Sequence, residues 1–388
     1  MAPAPRRVMR LLLLLLPPAA RSLMRPETEA LLQLSGQGRQ TQEPVAQPCT
    51  SYGPGLHLVQ LPLLQRQFLL SVPEDFAPGS VPLVFVFHGF SDSPWYSNRM
   101  LGFSKKMTRY GWLGILPFGL DEPERNGLGG VEACCPAGCT GECCTEGRRL
   151  SNRDDGTSCG WRYMDRNIPM VKELLHWAQL NTCADMTKVF ATGWSQGGMF
   201  TNYLACHASE LFRGFAPLSG DTPPYRDDVY NSPCEPKRPI SYVSMCGTED
   251  DEAKCQNTVV STAESWSYRS RCKNAGLAGA TRFNFSATTS CFMWEACEAQ
   301  NFVEVCYSQG LGHDPSGYLR PDDTSYIRPG SDLDIASYVF QKFSLLVGGS
   351  ILFMGHPTKE ELAYKESAWP PPQHHDHIYI RNGSLNAA

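Results

Sequence analysis

A serine at position 195 lies within Gly193-Trp194-Ser195-Gln196-Gly197-Gly198. An alcohol is a weak nucleophile in neutral water. It reacts only where a base takes its proton, an acid orients that base, and N–H donors face the oxygen that becomes charged. Gly-x-Ser-x-Gly alone arises by chance in roughly one chain in ten of this length, so its setting matters more than its letters. Here the apolar run Val189–Ala191 precedes it and a helical pattern over Gly197–Cys206 follows. That is the strand–turn–helix context of a nucleophile elbow, with the glycines on either side letting strand and helix approach closely.

The partners are sought further along the chain, acid first and histidine last. Asp250, in Gly247-Thr248-Glu249-Asp250, directly follows the apolar run Ile240–Cys246. An acid at a strand's carboxyl end faces the crevice where ligands bind in open α/β sheets. Glu249, Asp251 and Glu252 are neighbours that leave the choice within this run open. His313 follows the strand pattern Phe302–Ser308 in the loop Gly310-Leu311-Gly312-His313-Asp314. Of the other histidines, His176 and His207 fall on helical patterns, and His356, His374, His375 and His377 lie beyond the last core helix. His313 is therefore expected to be the base. Asp314, adjacent to it, would seldom reach its neighbour's ring.

Two backbone N–H groups should receive the oxyanion, one from Gln196 and one from the Gly89-Phe90 turn that ends the run Val81–His88. His88 is expected to shape that turn rather than carry protons. Trp95, Trp161 and Trp194 are expected to line the substrate site, although aromatics serve equally as ordinary core residues.

The elements that must hold these residues can be read from the same pattern. Val81–His88 is continuously apolar, as a strand buried on both faces must be. Phe68–Val72 is expected as an edge strand, with further strands at Leu113–Pro117, Lys188–Thr192, Phe215–Leu218, Ile240–Cys246 and Phe302–Ser308. Helical spacing recurs from Asp165, over Val259–Cys272 and over Asp332–Leu346. Strands alternating with helices predict an α/β fold with a mostly parallel central sheet flanked by helices.

The chain has 388 residues, 16 cysteines and a formal net charge of −5. That charge argues against nucleic acid as a partner. The run from Cys134 to Cys144 contains no histidine, so disulfides and an oxidising compartment are expected rather than zinc. Cys183 is expected to pair with Cys206, and Cys272 with Cys291. Arg6, Arg7 and Arg10 ahead of Leu11–Leu16 form a secretory leader too short to span a membrane. Asn284 and Asn382 head glycosylation sequons. The expected layout is a leader over 1–20, a linker or pro-segment over 21–60, a folded domain over 61–350 with a disulfide-rich surface insertion at 121–160, and a tail over 351–388. The tail cluster His374-His375-Asp376-His377 follows a proline run and has no supporting shell for a metal. No metal or cofactor is expected.

Taken together, these segments resemble the secreted feruloyl esterases and polyhydroxybutyrate depolymerase-like esterases of carbohydrate esterase family one. The resemblance rests on Cys183–Gly198, Phe212–Gly220, Val84–Gly89, Gly247–Asp250 and Gly310–His313, and extends from Gln67 to Phe343. It implies an α/β-hydrolase fold and hydrolysis of a small ester or an esterified polysaccharide through an acyl-enzyme. Ser195, His313 and Asp250 would be the triad, and Phe90 and Gln196 the oxyanion donors. Polyhydroxyalkanoate esters are an alternative substrate. A peptidase and a non-catalytic secreted binding protein are alternative functions. Cys246 stands where the family's acid loop often has histidine, and the 121–160 insertion and the proline-rich tail depart from its pattern.

Overall fold

The computed structural model describes residues 49–61, 63, 66–76, 81–90, 92–123, 157–161, 164–220, 233–313 and 334–348. The expected leader, the tail and the Cys134–Cys144 run lie outside the described residues.

The strands are β1 (Gly55–Gln60), β2 (Gln67–Val72), β3 (Val81–Phe87), β4 (Leu113–Pro117), β5 (Leu120–Pro123), β6 (Thr157–Gly160), β7 (Ala184–Trp194), β8 (Gly214–Leu218), β9 (Ser241–Gly247), β10 (Thr281–Asn284), β11 (Thr289–Trp294) and β12 (Val303–Ser308). The helices are α1 (Pro94–Leu101), α2 (Phe103–Tyr110), α3 (Met164–Asn181), α4 (Gln196–His207), α5 (Ser261–Arg269) and α6 (Ile335–Leu345). Ten strands form one sheet in the order β1-β2-β4-β3-β7-β8-β9-β12-β11-β10, and β5 and β6 form a separate ribbon. From β4 through β12 every neighbouring pair is parallel, while both margins are antiparallel.

The apolar runs are explained by their place in this sheet. In β3, Leu83, Phe85 and Phe87 enter the core layer on one face, and Val84 and Val86 enter the layer on the other. Residues alternate faces along a strand, so a strand covered on both sides is apolar along nearly its whole length. One layer holds α3 and α4, with Leu174 and Phe200 fully buried. The other holds α1, α2 and α6, where Phe103, Trp112, Phe340 and Phe343 pack together. Full burial of each such side chain contributes roughly 1.5–3 kcal/mol.

Helix α6 is fixed by charge as well as by packing. Its N-cap, Asp334, accepts from Ser337 N–H at 3.1 Å and pairs with buried Lys106 at 2.6 Å. On the same helix, Lys342 reaches Glu304 of β12 at 2.6 Å. Burial raises the Glu304 carboxyl above its ordinary range, and the Lys342 ammonium opposes that rise.

Strand order reverses at β3. The chain leaves β3 to build β4 on one side, and later places β7 on the other. In open α/β sheets, ligands bind beyond the carboxyl ends of the strands at such a reversal. The Gly89-Phe90 turn and Ser195 lie at the ends of those two adjacent strands.

The sheet begins earlier than expected. Residues 55–60, assigned to a linker, form strand β1, so β2 is not the edge. Cys49, within the same expected linker, bridges to Cys183. The other described bridges are Cys206–Cys234, Cys246–Cys255, Cys272–Cys297 and Cys291–Cys306. Both expected pairings are therefore wrong. The 11 residues of β7 cover about 36 Å, whereas the 12 residues of α4 return only about 18 Å, so Cys206 never comes level with Cys183. Cys291 is directly opposite Cys306 across the β11–β12 ladder.

Candidate active site

Ser195 occupies the turn between β7 and α4 at φ 55° and ψ −122°. A non-glycine residue held there costs about 1–3 kcal/mol, so the surrounding structure must enforce the turn. Part of that enforcement is a hydrogen bond from Ser195 N–H to Leu218 O at 2.9 Å. The flanking glycines allow the rest. A Cβ on Gly197 would lie 2.1 Å from Phe87 O, and one on Gly193 would lie 2.5 Å from Gly197 O.

His313 Nε2 is 2.8 Å from Ser195 Oγ, and His313 Nδ1 is 3.0 Å from each oxygen of Asp250. A carboxylate accepts only, so Nδ1 carries the ring proton and Nε2 presents its lone pair to the serine hydroxyl. Within the acid run, burial and bonding single out Asp250. Its carboxyl group is fully buried and accepts from Glu252 N–H and Ala253 N–H at 3.0 and 2.8 Å. Glu249, Asp251 and Glu252 are exposed.

The acid loop and the histidine loop are stitched to each other. Thr248 N–H donates to Ser308 O, Glu249 N–H to Leu311 O, and Gly310 N–H to Thr248 Oγ1, each at 3.0 Å. Trp194 adds a bond from its indole Nε1–H to His313 O at 2.9 Å. The Cys246–Cys255 bridge closes the segment that contains Asp250. Cys246 thus has a structural use where the resemblance leads one to expect histidine. Neither this bridge nor the stitching was evident from sequence, because each depends on contacts between distant segments.

The Gly89-Phe90 turn is beside the elbow: a Cβ on Gly89 would lie 3.6 Å from Ser195 Cβ. Phe90 is 41% exposed. Gln196 opens α4, so its N–H belongs to the first turn, where the helix dipole favours negative charge.

His88, just before the turn, is fully buried. Its Nε2 accepts from Gly119 N–H at 3.0 Å, so the proton is on Nδ1 and is donated to Gly89 O at 2.7 Å. Burial above all, opposed by the Gly89 bond and helped by the nearby Arg66 charge, lowers its pKa to about 4. His88 is therefore neutral near pH 7, in keeping with a shaping role.

The three tryptophans differ in placement. Trp194 is half-buried, with its ring 5.4 Å from that of His313. Trp95 is half-buried on α1 against the α1/α2/α6 layer, and its buried Nε1–H has no partner among the described residues. The expectation that Trp161 stacks on substrate does not hold. It is fully buried behind the elbow, its ring stacked on Phe200 at 5.1 Å and its N–H groups bonded to His88 O and Gln196 Oε1.

Cys291, Glu304 and Cys306 also converge, but their two sulfurs are joined to each other in the β11–β12 bridge. Among the described residues no helix is long and apolar enough to cross a membrane.

A parallel sheet with its serine elbow at the strand-order reversal, and an acid and a histidine on later strand ends, is the α/β-hydrolase fold. No protein-family model matches the chain. Among curated proteins it is 24% identical over 140 residues to feruloyl esterase B of Piromyces equi, across 34% of this chain and 26% of that protein. It is 21% identical over 255 residues to the bifunctional acetylxylan esterase/xylanase XynS20E of Neocallimastix patriciarum, across 65% of this chain and 31% of that protein. The chain thus aligns with about a quarter to a third of the length of these relatives. Among solved structures, the acetyl xylan esterase from Aspergillus awamori aligns with a TM-score of 0.44 and 16% identity, covering 67% of this chain and 94% of that one. Esterase PE8 aligns with a TM-score of 0.36 and 15% identity, covering 67% and 91%. The chain is therefore similar to feruloyl and acetylxylan esterases.

Proposed function

We propose that this protein hydrolyses carboxylic esters through an acyl-enzyme, with Ser195 as nucleophile, His313 as base and later acid, and Asp250 as the acid that orients the imidazole. The observation that carries this reading is the continuous path from Ser195 Oγ through His313 to Asp250, at 2.8 and 3.0 Å. His313 takes the hydroxyl proton as Ser195 attacks the ester carbonyl, and the backbone N–H groups of Phe90 and Gln196 receive the oxyanion. His313 then protonates the departing alcohol, and a water activated by the same imidazole releases the acid.

Feruloyl-type or acetyl groups on plant polysaccharide are the substrates this reading favours, supported by the names of the two curated relatives. Among the described residues, the exposed Phe90 ring and the half-buried Trp194 offer aromatic surfaces to an aryl acyl group. Secretion is part of the proposal, supported by the five described bridges and the leader pattern at the N-terminus. Asn284, exposed on β10, is open to glycosylation.

The test is a panel of methyl ferulate, p-nitrophenyl acetate, acetylated xylan and a hydroxybutyrate ester, run with wild type and Ser195→Ala. Turnover abolished by the substitution supports the mechanism, and the ranking assigns the acyl group. Preference for the hydroxybutyrate ester would move the substrate to polyhydroxyalkanoates. A wild-type chain inactive on the whole panel would overturn the proposal.

A further inference from the structure

Trp161 is separated from every triad member in sequence, yet it contacts both segments that would bind the oxyanion. Its indole Nε1–H donates to His88 O at 2.8 Å, and its backbone N–H donates to the Gln196 side-chain oxygen at 2.7 Å. The ring is wedged between the same two elements. It stacks on Phe200 of α4 with an interplanar angle of 3°, and meets Phe87 of β3 edge-on at 5.2 Å. The Phe90 N–H extends from the end of β3, and the Gln196 N–H opens α4.

What fixes Trp161 is the β5–β6 ribbon. Its first register pair is Leu120 with Gly160, so its base is flanked by Gly119 and Trp161. These are the two residues that grip His88, Gly119 through the imidazole Nε2 and Trp161 through the carbonyl. The base is tightly closed, since a Cβ on Gly119 would lie 2.5 Å from Gly160 O.

We propose that Trp161 is a positioning residue, a brace between the end of β3 and the start of α4 that sets the spacing of the Phe90 and Gln196 N–H groups. The proposal rests on the reading of Ser195 as an ester-cleaving nucleophile. An oxyanion donor stabilises the transition state only at about 2.7–3.1 Å from the charged oxygen, and losing one costs about 10²–10³ in kcat. Loosening the brace should remove part of that factor and leave ground-state binding nearly unchanged.

The test uses Trp161→Phe, which keeps an aromatic ring and deletes the indole N–H, and Gln196→Leu, which deletes the acceptor of the backbone N–H. Active sites are titrated with a fluorophosphonate, so that kcat is counted per reactive serine and loss of folded protein drops out. The expected result is a fall of about 10-fold or more in kcat per titrated site, with KM within about two-fold. Inhibition by an aryl boronic acid, which places a tetrahedral anion in the corner, should weaken by a similar factor. The pH dependence of kcat/KM, set by His313, should not move. If Trp161→Phe fails to fold, Gln196→Leu alone decides the matter. A variant that keeps wild-type kcat per titrated serine overturns the proposal and leaves the hydrolase reading intact. A wild-type chain that takes no probe and cleaves no ester removes both.

Discussion

Replacing Cys246 and Cys255 together by alanine opens the loop that carries Asp250. The two cysteines are nine positions apart, and the chain-entropy relation for a ring of that size gives about 2.6 kcal/mol of stability at 25 °C. Both sulfurs are buried, so lost packing adds to that figure. Inside the loop, the Glu252 and Ala253 N–H groups that hold Asp250 Oδ1 would lose their fixed positions. Thr248 and Glu249 remain tied to Ser308 and Leu311, so the carboxylate would be loosened rather than lost. Activity should therefore fall by about 10-fold, well short of the effect of removing the charge. Urea denaturation read by tryptophan fluorescence gives the stability change, and methyl ferulate turnover per titrated serine gives kcat. Stability within about 0.5 kcal/mol of wild type and kcat within about two-fold would mean that this bridge does not pre-set the acid.

Asp250→Asn should reduce kcat by about 10⁴, because an amide N–H facing His313 forces the ring proton onto Nε2, against the serine; a stopped assay at pH 7 measures it. Gly197→Ala should abolish soluble expression or activity, since the added methyl meets Phe87 O at 2.1 Å; size-exclusion yield and probe labelling report it. His88 predicts part of the acid sensitivity. The unfolded chain takes up this proton near pH 6.5 and the folded chain only near 4, so the contribution is complete above about 6.5 and is lost as pH falls through about 4. That gap corresponds to about 3 kcal/mol. In His88→Gln the urea midpoint should accordingly change less between pH 7 and pH 4 than in wild type.

The central strands and the elbow were legible in the sequence because they are covered on both faces. Val81–Phe87 and Val189–Ala191 admit no polar side chain, and burial of that kind leaves continuous apolar runs. The antiparallel margins leave weaker patterns. β10 is largely exposed and β1 only partly buried, so neither shows a period that distinguishes it from loop. Helix α2 carries Lys106 at a buried position, where its charge is matched by Asp334 more than two hundred residues later. The proposed triad was readable as three residue types at three strand ends. The role of Trp161 was not, because an aromatic side chain in a sequence does not reveal which carbonyl its indole N–H will meet. Disulfide partners were misread for a similar reason, since they depend on how far a strand and its following helix travel in opposite directions.

The proposed chemistry depends on activation of the Ser195 hydroxyl by His313. Incubation with a fluorophosphonate, followed by peptide mass mapping, tests it directly. One adduct on the peptide containing Ser195, absent in Ser195→Ala and strongly slowed in His313→Ala, is the expected result. An unlabelled wild-type chain, or ester turnover that survives Ser195→Ala, would contradict it.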